Sequence, residues 1–130
     1  MASIFTKIIR GEIPSYKIAE SEEFYAFLDI RPLAKGHTLV VPKVEVDKLF
    51  DLDDHTYQGL FAFCKQVAAG IKRSVACNRV ALTVIGLEVP HAHVHLIPIN
   101  TMGDVDFSKP KVSMTNEEME SLAALIRRNI

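Results

Sequence analysis

Residues 91–98 read His-Ala-His-Val-His-Leu-Ile-Pro, which places three of the chain's five histidines at alternate positions. Successive side chains of a β-strand point to opposite faces of the sheet. A strand over His91–Ile99 therefore turns the three histidines to one face and the apolar residues between them toward the core. His91, His93 and His95 would then lie about 6.6 Å apart along the strand, because each residue adds about 3.3 Å. One small ligand could touch two or three of the rings.

The segments on either side of this strand predict a mixed α and β domain. Short β-prone runs predict four more strands, at Tyr16–Ala19, Phe24–Leu28, His37–Pro42 and Arg79–Gly86. Helical spacing of apolar residues predicts a long central helix over Tyr57–Ala76, and a Thr-x-x-Glu capping box at Thr115 predicts a C-terminal helix. Ser3 is placed to cap a short helix over Ile4–Ile9. This order of elements favours an α+β fold with a mainly antiparallel sheet.

The composition is that of one globular domain, which we assign to residues 1–130. The chain has 130 residues, of which 48% are hydrophobic, and this is enough for a packed core. Its formal net charge is −1, whereas a nucleic-acid-binding surface needs clustered lysine and arginine. We therefore expect no nucleic-acid partner, although a local positive site could still hold a small anion.

The sequence predicts neither a membrane partner nor an oxidising compartment. No stretch approaches the roughly 18 apolar residues of a membrane span. Lys7, Arg10 and Glu12 interrupt the apolar residues near the N-terminus, where a secretory signal would be continuous. The two cysteines, Cys64 and Cys77, have neither CxxC spacing nor the density of a disulfide scaffold. We expect a cytoplasmic protein.

Three interpretations of the histidine strand compete on residue chemistry alone. The rings could be ordinary side chains on an exposed sheet face. They could bind zinc, although such a site usually recruits a further carboxylate or cysteine ligand. They could also act in nucleophilic and acid–base catalysis, because one imidazole can attack phosphorus while a second protonates the departing group.

The run His91–Pro98 matches the His-φ-His-φ-His-φ-φ signature of the histidine triad (HIT) superfamily, in which φ is an apolar residue. Three further blocks resemble the N-terminal half of that family and stand in the same order: Ile8–Pro14, Phe27–Ile30 and Gly36–Lys43. The similarity covers most of the chain. These four blocks together make the resemblance specific.

The resemblance implies a fold and an assembly. HIT proteins have an α+β fold with a five-stranded antiparallel sheet, and two copies usually pair to give ten strands. We therefore expect a homodimer. Phe61 and Phe63 lie outside the apolar stripe of the predicted central helix. They are compatible with a dimer surface, and equally with a flanking loop that covers them.

The resemblance also implies that the chain binds a purine nucleotide or a nucleoside monophosphate conjugate and acts at its α-phosphate. The middle histidine, His93, would be the nucleophile that forms a nucleotidyl-histidine intermediate. His95 would contact the phosphate, and His91 would hold His93 in its reactive tautomer. His37 would be the family's fourth histidine, near the same cluster. No metal or other cofactor is required, because imidazolium and backbone N–H groups can offset the phosphate charge.

Two side chains outside the triad are assigned to nucleotide binding by the same resemblance. Asp29 corresponds to the acid that accepts hydrogen bonds from the ribose hydroxyls, and Ile30 corresponds to an apolar wall of the base pocket. The nucleotide-binding set is then Asp29, Ile30, His37, Glu88, His93 and His95. From the residues alone, Asp29 could equally be a turn residue before Arg31.

The loop before the triad departs from the family pattern. HIT proteins commonly carry Gly-Gln-(Ser/Thr)-Val there, whereas Gly86–Pro90 reads Gly-Leu-Glu-Val-Pro. A hydroxyl can donate to the leaving group, but an ionised Glu88 repels an anionic phosphate. The alternatives to a metal-independent enzyme are a nucleotide-binding or interaction module with little turnover, and a metallohydrolase. Some relatives also carry a zinc-binding CxxC near the N-terminus, where this chain has Ser3 and Thr6.

Overall fold

The computed structural model describes residues 2–130, which form one sheet with helices on both of its faces. The strands in this range are β1 (Lys17–Glu20), β2 (Phe24–Leu28), β3 (Thr38–Pro42), β4 (Arg79–Thr83) and β5 (Val94–Ile99). The α-helices are α1 (Ile4–Ile9), α2 (Asp54–Ser74) and α3 (Asn116–Arg128), with 3₁₀ turns at Leu49–Asp51 and Met102–Asp104. Within residues 2–130, no helix is both long and apolar enough to cross a bilayer.

Neighbouring strands of the sheet are all antiparallel, and their spatial order is β1-β2-β3-β5-β4. The central pair, β3 and β5, brings Leu39 opposite His95 and Val40 opposite Val94. The connection from β3 to β4 contains α2. This arrangement confirms the predicted α+β fold with a five-stranded antiparallel sheet, one long helix and a C-terminal helix.

One face of the sheet carries the main core. α2 and α3 pack on that face, since each presents an apolar stripe to it. Large buried side chains of this core are Ile18, Leu28, Val40, Leu60, Val67, Ile71, Leu96 and Ile126. Phe63 also belongs to it, and its ring centroid lies 5.6 Å from that of Phe24. Phe63 therefore offers no surface to a second copy, whereas Phe61 is half-buried and packs against Tyr57.

The opposite face of the sheet is covered by α1. Phe5 and Ile8 of this helix pack on the side chains that β2 and β3 turn to this face, which are Tyr25, Phe27, Leu39 and Val41. Ser3 caps α1, as predicted, because its hydroxyl accepts a hydrogen bond from the Thr6 N–H at 3.0 Å. Beside α1, the same face forms the floor of a cavity.

The strand predicted over His91–Ile99 begins at Val94 instead, so its first two histidines precede β5. β3 ends at Pro42, whose nitrogen has no hydrogen to donate, and this ends the ladder between the two strands. The segment ahead of β5 has another partner, because Ala92 N–H donates to Val46 O at 2.7 Å. Four further strand ends differ from prediction: β1 begins and ends one residue later, at Lys17 and Glu20, β3 begins at Thr38 and β4 ends at Thr83.

Candidate active site

Four of the five histidines converge on the α1 face of the sheet. The ring centroids of His93 and His95 are 5.2 Å apart, and those of His95 and His37 are also 5.2 Å apart. His91 is fully buried, and its main chain contacts His93. The fifth histidine, His55, is exposed at the start of α2. The structure thus brings together the four histidines that the sequence singled out.

Hydrogen bonds fix where the protons of His37 and His95 lie. The Leu33 N–H donates to His37 Nδ1 at 3.0 Å, so the neutral His37 ring carries its proton on Nε2. This Nε2 lies 3.0 Å from His95 Nδ1, which must then accept. His95 is left with its own proton on Nε2, and it therefore presents an N–H donor.

The protons of His91 and His93 are fixed by carbonyl groups. His93 Nδ1 lies 2.8 Å from the His91 carbonyl oxygen, which can only accept. His93 therefore carries its proton on Nδ1 and an unshared electron pair on Nε2. His91 Nε2 donates to the Pro42 carbonyl at 2.8 Å, which leaves His91 Nδ1 to accept from the Ser3 hydroxyl at 2.7 Å.

The free Nε2 atoms of His93 and His95 are open to solvent. Among residues 2–130, every side-chain nitrogen or oxygen that is buried has a hydrogen-bond partner. The Nε2 atoms of His93 and His95 have no partner, so neither atom is buried. Both rings line a cavity of about 420 Å³, which lies in the size range of small-molecule sites. His93 brings a base to this cavity, and His95 brings a donor.

Five predicted site residues line the cavity: Asp29, Ile30, Glu88, His93 and His95. The other two, His37 and His91, are buried behind its wall at 1% and 0% exposure. Neither residue lines the cavity, and they connect to it only through His95 and His93. The catalytic roles predicted for His37 and His91, and the nucleotide contact predicted for His37, stay predictions.

Gly36 sets the position of His37. Its φ of +96° lies in the left-handed region, which glycine adopts without strain. A Cβ at this position would lie 3.0 Å from Val75 Cγ2 and 3.2 Å from Pro98 Cγ. The turn into β3 therefore depends on a residue without a side chain.

Asp29 lies at the cavity directly after β2. Its Oδ1 accepts from the Arg31 N–H at 2.9 Å, and its Oδ2 lies 3.6 Å from His37 Nε2. Burial raises the pKa of this carboxyl, and the bond from Arg31 opposes the rise. Asp29 therefore forms the turn and also lines the cavity, so the two interpretations of this residue are compatible.

Burial favours the neutral form of three rings of the cluster, those of His37, His91 and His95. Desolvation, with a smaller contribution from His95, lowers the pKa of His37 to about 3. Desolvation and the neighbouring His93 lower the pKa of His95 to about 4. The pKa of His91 is also lowered, chiefly by burial. Neutral rings with one proton each are what the hydrogen bonds of the cluster require.

Three of the described side chains have the chemistry of a metal site. Asp29, His37 and His95 each offer one ligand atom, and these atoms lie within 4.8 Å of one another. A metal ion needs the unshared pair of His37 Nε2, which would move the ring proton to Nδ1. There it would face the Leu33 N–H, which is also a donor. The local hydrogen bonds therefore favour a proton relay over a metal centre.

Two aromatic residues of the site were not identified from the sequence. The Phe5 ring packs edge-on against His93, with 4.9 Å between centroids, and Phe107 packs in the same way against His95 at 4.9 Å. Phe107 lies in irregular chain, where no periodicity could have marked it. Phe5 shares the buried side of α1 with Ile8, and this i, i+3 spacing is a signal that could have found it.

The Gly86–Pro90 loop forms one rim of the cavity. Leu87 is 89% exposed and Glu88 is also exposed, and both line the opening. The rim therefore brings an apolar side chain and a carboxylate to positions where the family pattern has an amide and a hydroxyl.

Comparison with known proteins matches the HIT domain over residues 10–102. The chain is 35% identical over 136 residues to the adenosine 5′-monophosphoramidase of Schizosaccharomyces pombe, covering 100% of this chain and 99% of that one. It is 42% identical over 100 residues to the Saccharomyces cerevisiae protein of the same name, covering 75% of this chain and 62% of that one. A solved structure described as a hypothetical histidine triad nucleotide-binding protein, from Sulfolobus tokodaii, has a TM-score of 0.84 and 34% identity, covering 96% of this chain and 89% of that one.

Proposed function

This chain belongs to the HIT family, and from that premise we propose that it cleaves or transfers purine nucleoside monophosphate conjugates at the α-phosphate. One observation carries the proposal. His93 has an unshared pair on Nε2, while the adjacent His95 has an N–H on Nε2, and both open on one cavity. A nucleophile beside a donor suits attack on a phosphate. The two yeast relatives named as adenosine 5′-monophosphoramidases support the same class of substrate.

In the first step His93 Nε2 attacks the α-phosphorus in line with the leaving group. A nitrogen–phosphorus bond forms as the bond to the leaving group breaks, and that electron pair departs with the leaving group, which takes a proton from solvent. The His91 carbonyl stabilises the positive charge that develops on His93, because it already accepts from Nδ1–H. His95 Nε2–H donates to a phosphate oxygen, as His37 holds it oriented to do.

In the second step a water oxygen bonds to the phosphorus as the nitrogen–phosphorus bond breaks. The electron pair of that bond returns to His93 Nε2, and the water gives one proton to solvent. The nucleoside monophosphate leaves, and His93 returns to its starting tautomer. Asp29 accepts hydrogen bonds from the ribose hydroxyls. Ile30, which is 74% exposed at the cavity, supplies an apolar wall for the base.

Trapping tests this mechanism. With a labelled adenylate substrate, a rapid alkaline denaturing quench and peptide mapping at alkaline pH should find label on His93, and mild acid should release it. His93→Ala should abolish both the label and the turnover. His55→Ala is the matched control, because it removes the exposed histidine outside the cluster. If His93→Ala turns over substrate as fast as the parent, the mechanism is wrong.

The second candidate function is a nucleotide-binding module with little turnover, and Leu87 and Glu88 at the rim favour it. Calorimetry with AMP and GMP, run beside turnover assays, separates the two functions. The assays should include phosphoramidates, dinucleoside polyphosphates and nucleotidyl sulfates. Tight binding without turnover in every assay would select the module.

We also propose a homodimer formed through β4. This strand is an edge of the sheet, and Leu82 within it is 44% exposed. The opposite edge, β1, is protected, because Arg127 donates to the Lys17 carbonyl there. An unprotected edge can pair with the same strand of a second copy and extend the sheet to ten strands.

Analytical ultracentrifugation tests the assembly. The parent should sediment as a dimer at micromolar concentration, and Leu82→Lys should shift it toward the monomer by placing a charge on the edge strand. A monomeric parent at that concentration would contradict the proposal.

A further inference from the structure

A group of hydrogen bonds behind the nucleophile has no part in the mechanism above. It joins the start of α1, the loop after β3 and the buried His91, and its side chains are Ser3, Thr6, Glu45 and His91. We call these four side chains the N-terminal clasp. Glu45 Oε1 accepts from the Ser3 N–H at 2.7 Å and from the Thr6 hydroxyl at 2.6 Å. Ser3 Oγ lies 2.7 Å from His91 Nδ1.

Glu45 sets the direction of these bonds. An ionised carboxylate can only accept, so Thr6 gives its hydroxyl proton to Glu45. The Ser3 hydroxyl accepts from the Thr6 N–H at 3.0 Å and has two acceptors within reach of its own proton, Thr6 Oγ1 at 3.3 Å and His91 Nδ1 at 2.7 Å. The shorter distance, together with the Pro42 carbonyl that holds the His91 proton on Nε2, directs the Ser3 proton to His91 Nδ1. The bonds from the Ser3 N–H and the Thr6 hydroxyl lower the pKa of Glu45 to about 2. The carboxylate consequently stays ionised throughout the neutral range.

His91 connects these hydrogen bonds to His93. The Pro42 carbonyl, 2.8 Å from Nε2, and the Ser3 hydroxyl, 2.7 Å from Nδ1, together keep the His91 proton on Nε2. These two bonds hold the residue whose carbonyl accepts from His93 Nδ1. The clasp also holds α1 in place, and α1 carries the Phe5 ring that packs against His93.

We propose that Glu45 is a positioning residue for His93 and that it acts through Ser3, Thr6 and His91. The inference rests on the proposed function, in which His93 attacks phosphorus. It goes beyond that function because Glu45 does not line the cavity and lies in the loop after β3, 48 residues before His93. Its carboxylate acts only by ordering the groups behind the reacting nitrogen.

The test compares Glu45→Ala with Glu45→Gln. Asp47→Ala is the matched control, because Asp47 is an exposed carboxylate of the same loop. Long-range ¹⁵N–¹H spectra of histidine-labelled free protein report the tautomers of His91 and His93. Steady-state kinetics with adenosine 5′-monophosphoramidate report kcat and KM separately.

For Glu45→Ala we expect a second tautomer of His91 and a kcat about tenfold lower, with KM nearly unchanged, because small misplacements of a reacting group reduce the rate strongly. Glu45→Gln keeps an acceptor oxygen, so it should recover most of kcat. Asp47→Ala should match the parent in both measurements. Thr6→Val removes the donor to Glu45 at nearly constant shape, and it replaces Glu45→Ala if circular dichroism shows that the alanine variant does not fold.

Parental tautomers or a parental kcat in Glu45→Ala would overturn the inference, and so would an equal loss in Asp47→Ala. Failure of the proposed function is distinguishable, because the spectra need no substrate. If the parent shows no turnover, the proposed function fails. A tautomer change confined to the Glu45 and Thr6 variants then still supports the clasp, and unchanged spectra still overturn it.

Discussion

Replacing His37 with leucine should flatten the pH dependence of stability below neutral pH. His37 is 1% exposed, and burial, with a smaller effect of His95, lowers its pKa to about 3 from an ordinary value of 6.5. Between these two values the unfolded chain binds a proton that the native ring does not. The free energy of unfolding of the parent must therefore fall as the pH drops through this window.

The size of the effect follows from the two pKa values of His37. Each pH unit below 6.5 costs the native state about 1.4 kcal/mol for such a histidine. Acidification from pH 6.5 to about pH 5 should therefore remove about 2 kcal/mol through His37 alone. His95, with a pKa of about 4, contributes in the same direction. Carboxyl groups ordinarily titrate near pH 4, so they contribute little above pH 5.

Urea unfolding followed by circular dichroism at several pH values measures this slope. His37→Leu should reduce the slope of the parent by about 1.2 kcal/mol per pH unit between about pH 6 and pH 5, close to the limit of about 1.4 kcal/mol for one proton. Val41→Ala is the matched control, because it removes buried apolar atoms from β3, the strand that directly follows His37, without removing a titrating group. It should lower stability at every pH and keep the parental slope. An equal slope in His37→Leu and the parent would refute the reasoning from burial.

Glu88→Ser at the cavity rim should raise kcat/KM for an anionic conjugate about fivefold, because it removes a repulsion on the order of 1 kcal/mol. Glu12→Ser is the control. A kcat/KM below that of the parent in Glu88→Ser would show that Glu88 assists the reaction. Phe107→Ala removes the ring that lies 4.9 Å from His95. It should weaken AMP binding about two- to tenfold by calorimetry, as expected for a lost aromatic contact, and an unchanged affinity would place Phe107 outside the ligand site. Burial raises the pKa of Cys64 to about 12. A thiol reagent at neutral pH should therefore modify Cys77 and reach Cys64 only in urea, as counted by mass spectrometry, and equal rates of modification would contradict this.

Local periodicity predicted much of the fold from the sequence. Alternation in β5 correctly turned Val94 and Leu96 to the main core and His95 to the other face. The start of that strand was wrong by three residues. It depends on Pro42, which lies on another strand and ends the shared ladder, and a pattern within residues 91–98 contains no information about it.

The site residues that the family pattern contains could be predicted from the sequence. Contacts between segments far apart in the chain could not. Five of the seven predicted site residues line the cavity. The aromatic contact of Phe107 and the bond between Ser3 and Glu45, which are 42 residues apart, join segments that carry no shared periodicity. Such contacts arise from the packing of the whole chain, so no single stretch of sequence predicts them.

The tautomers of the site are set largely by main-chain atoms: the Leu33 N–H, the His91 carbonyl and the Pro42 carbonyl. An amino-acid exchange at Leu33 leaves its N–H where it was, because the exchange alters only the side chain. Substitutions of side chains around the pocket can therefore change its lining without changing which ring nitrogens carry protons. A scaffold of this kind can vary the side chains at the mouth of its cavity and keep the same unshared electron pair, on His93 Nε2, throughout.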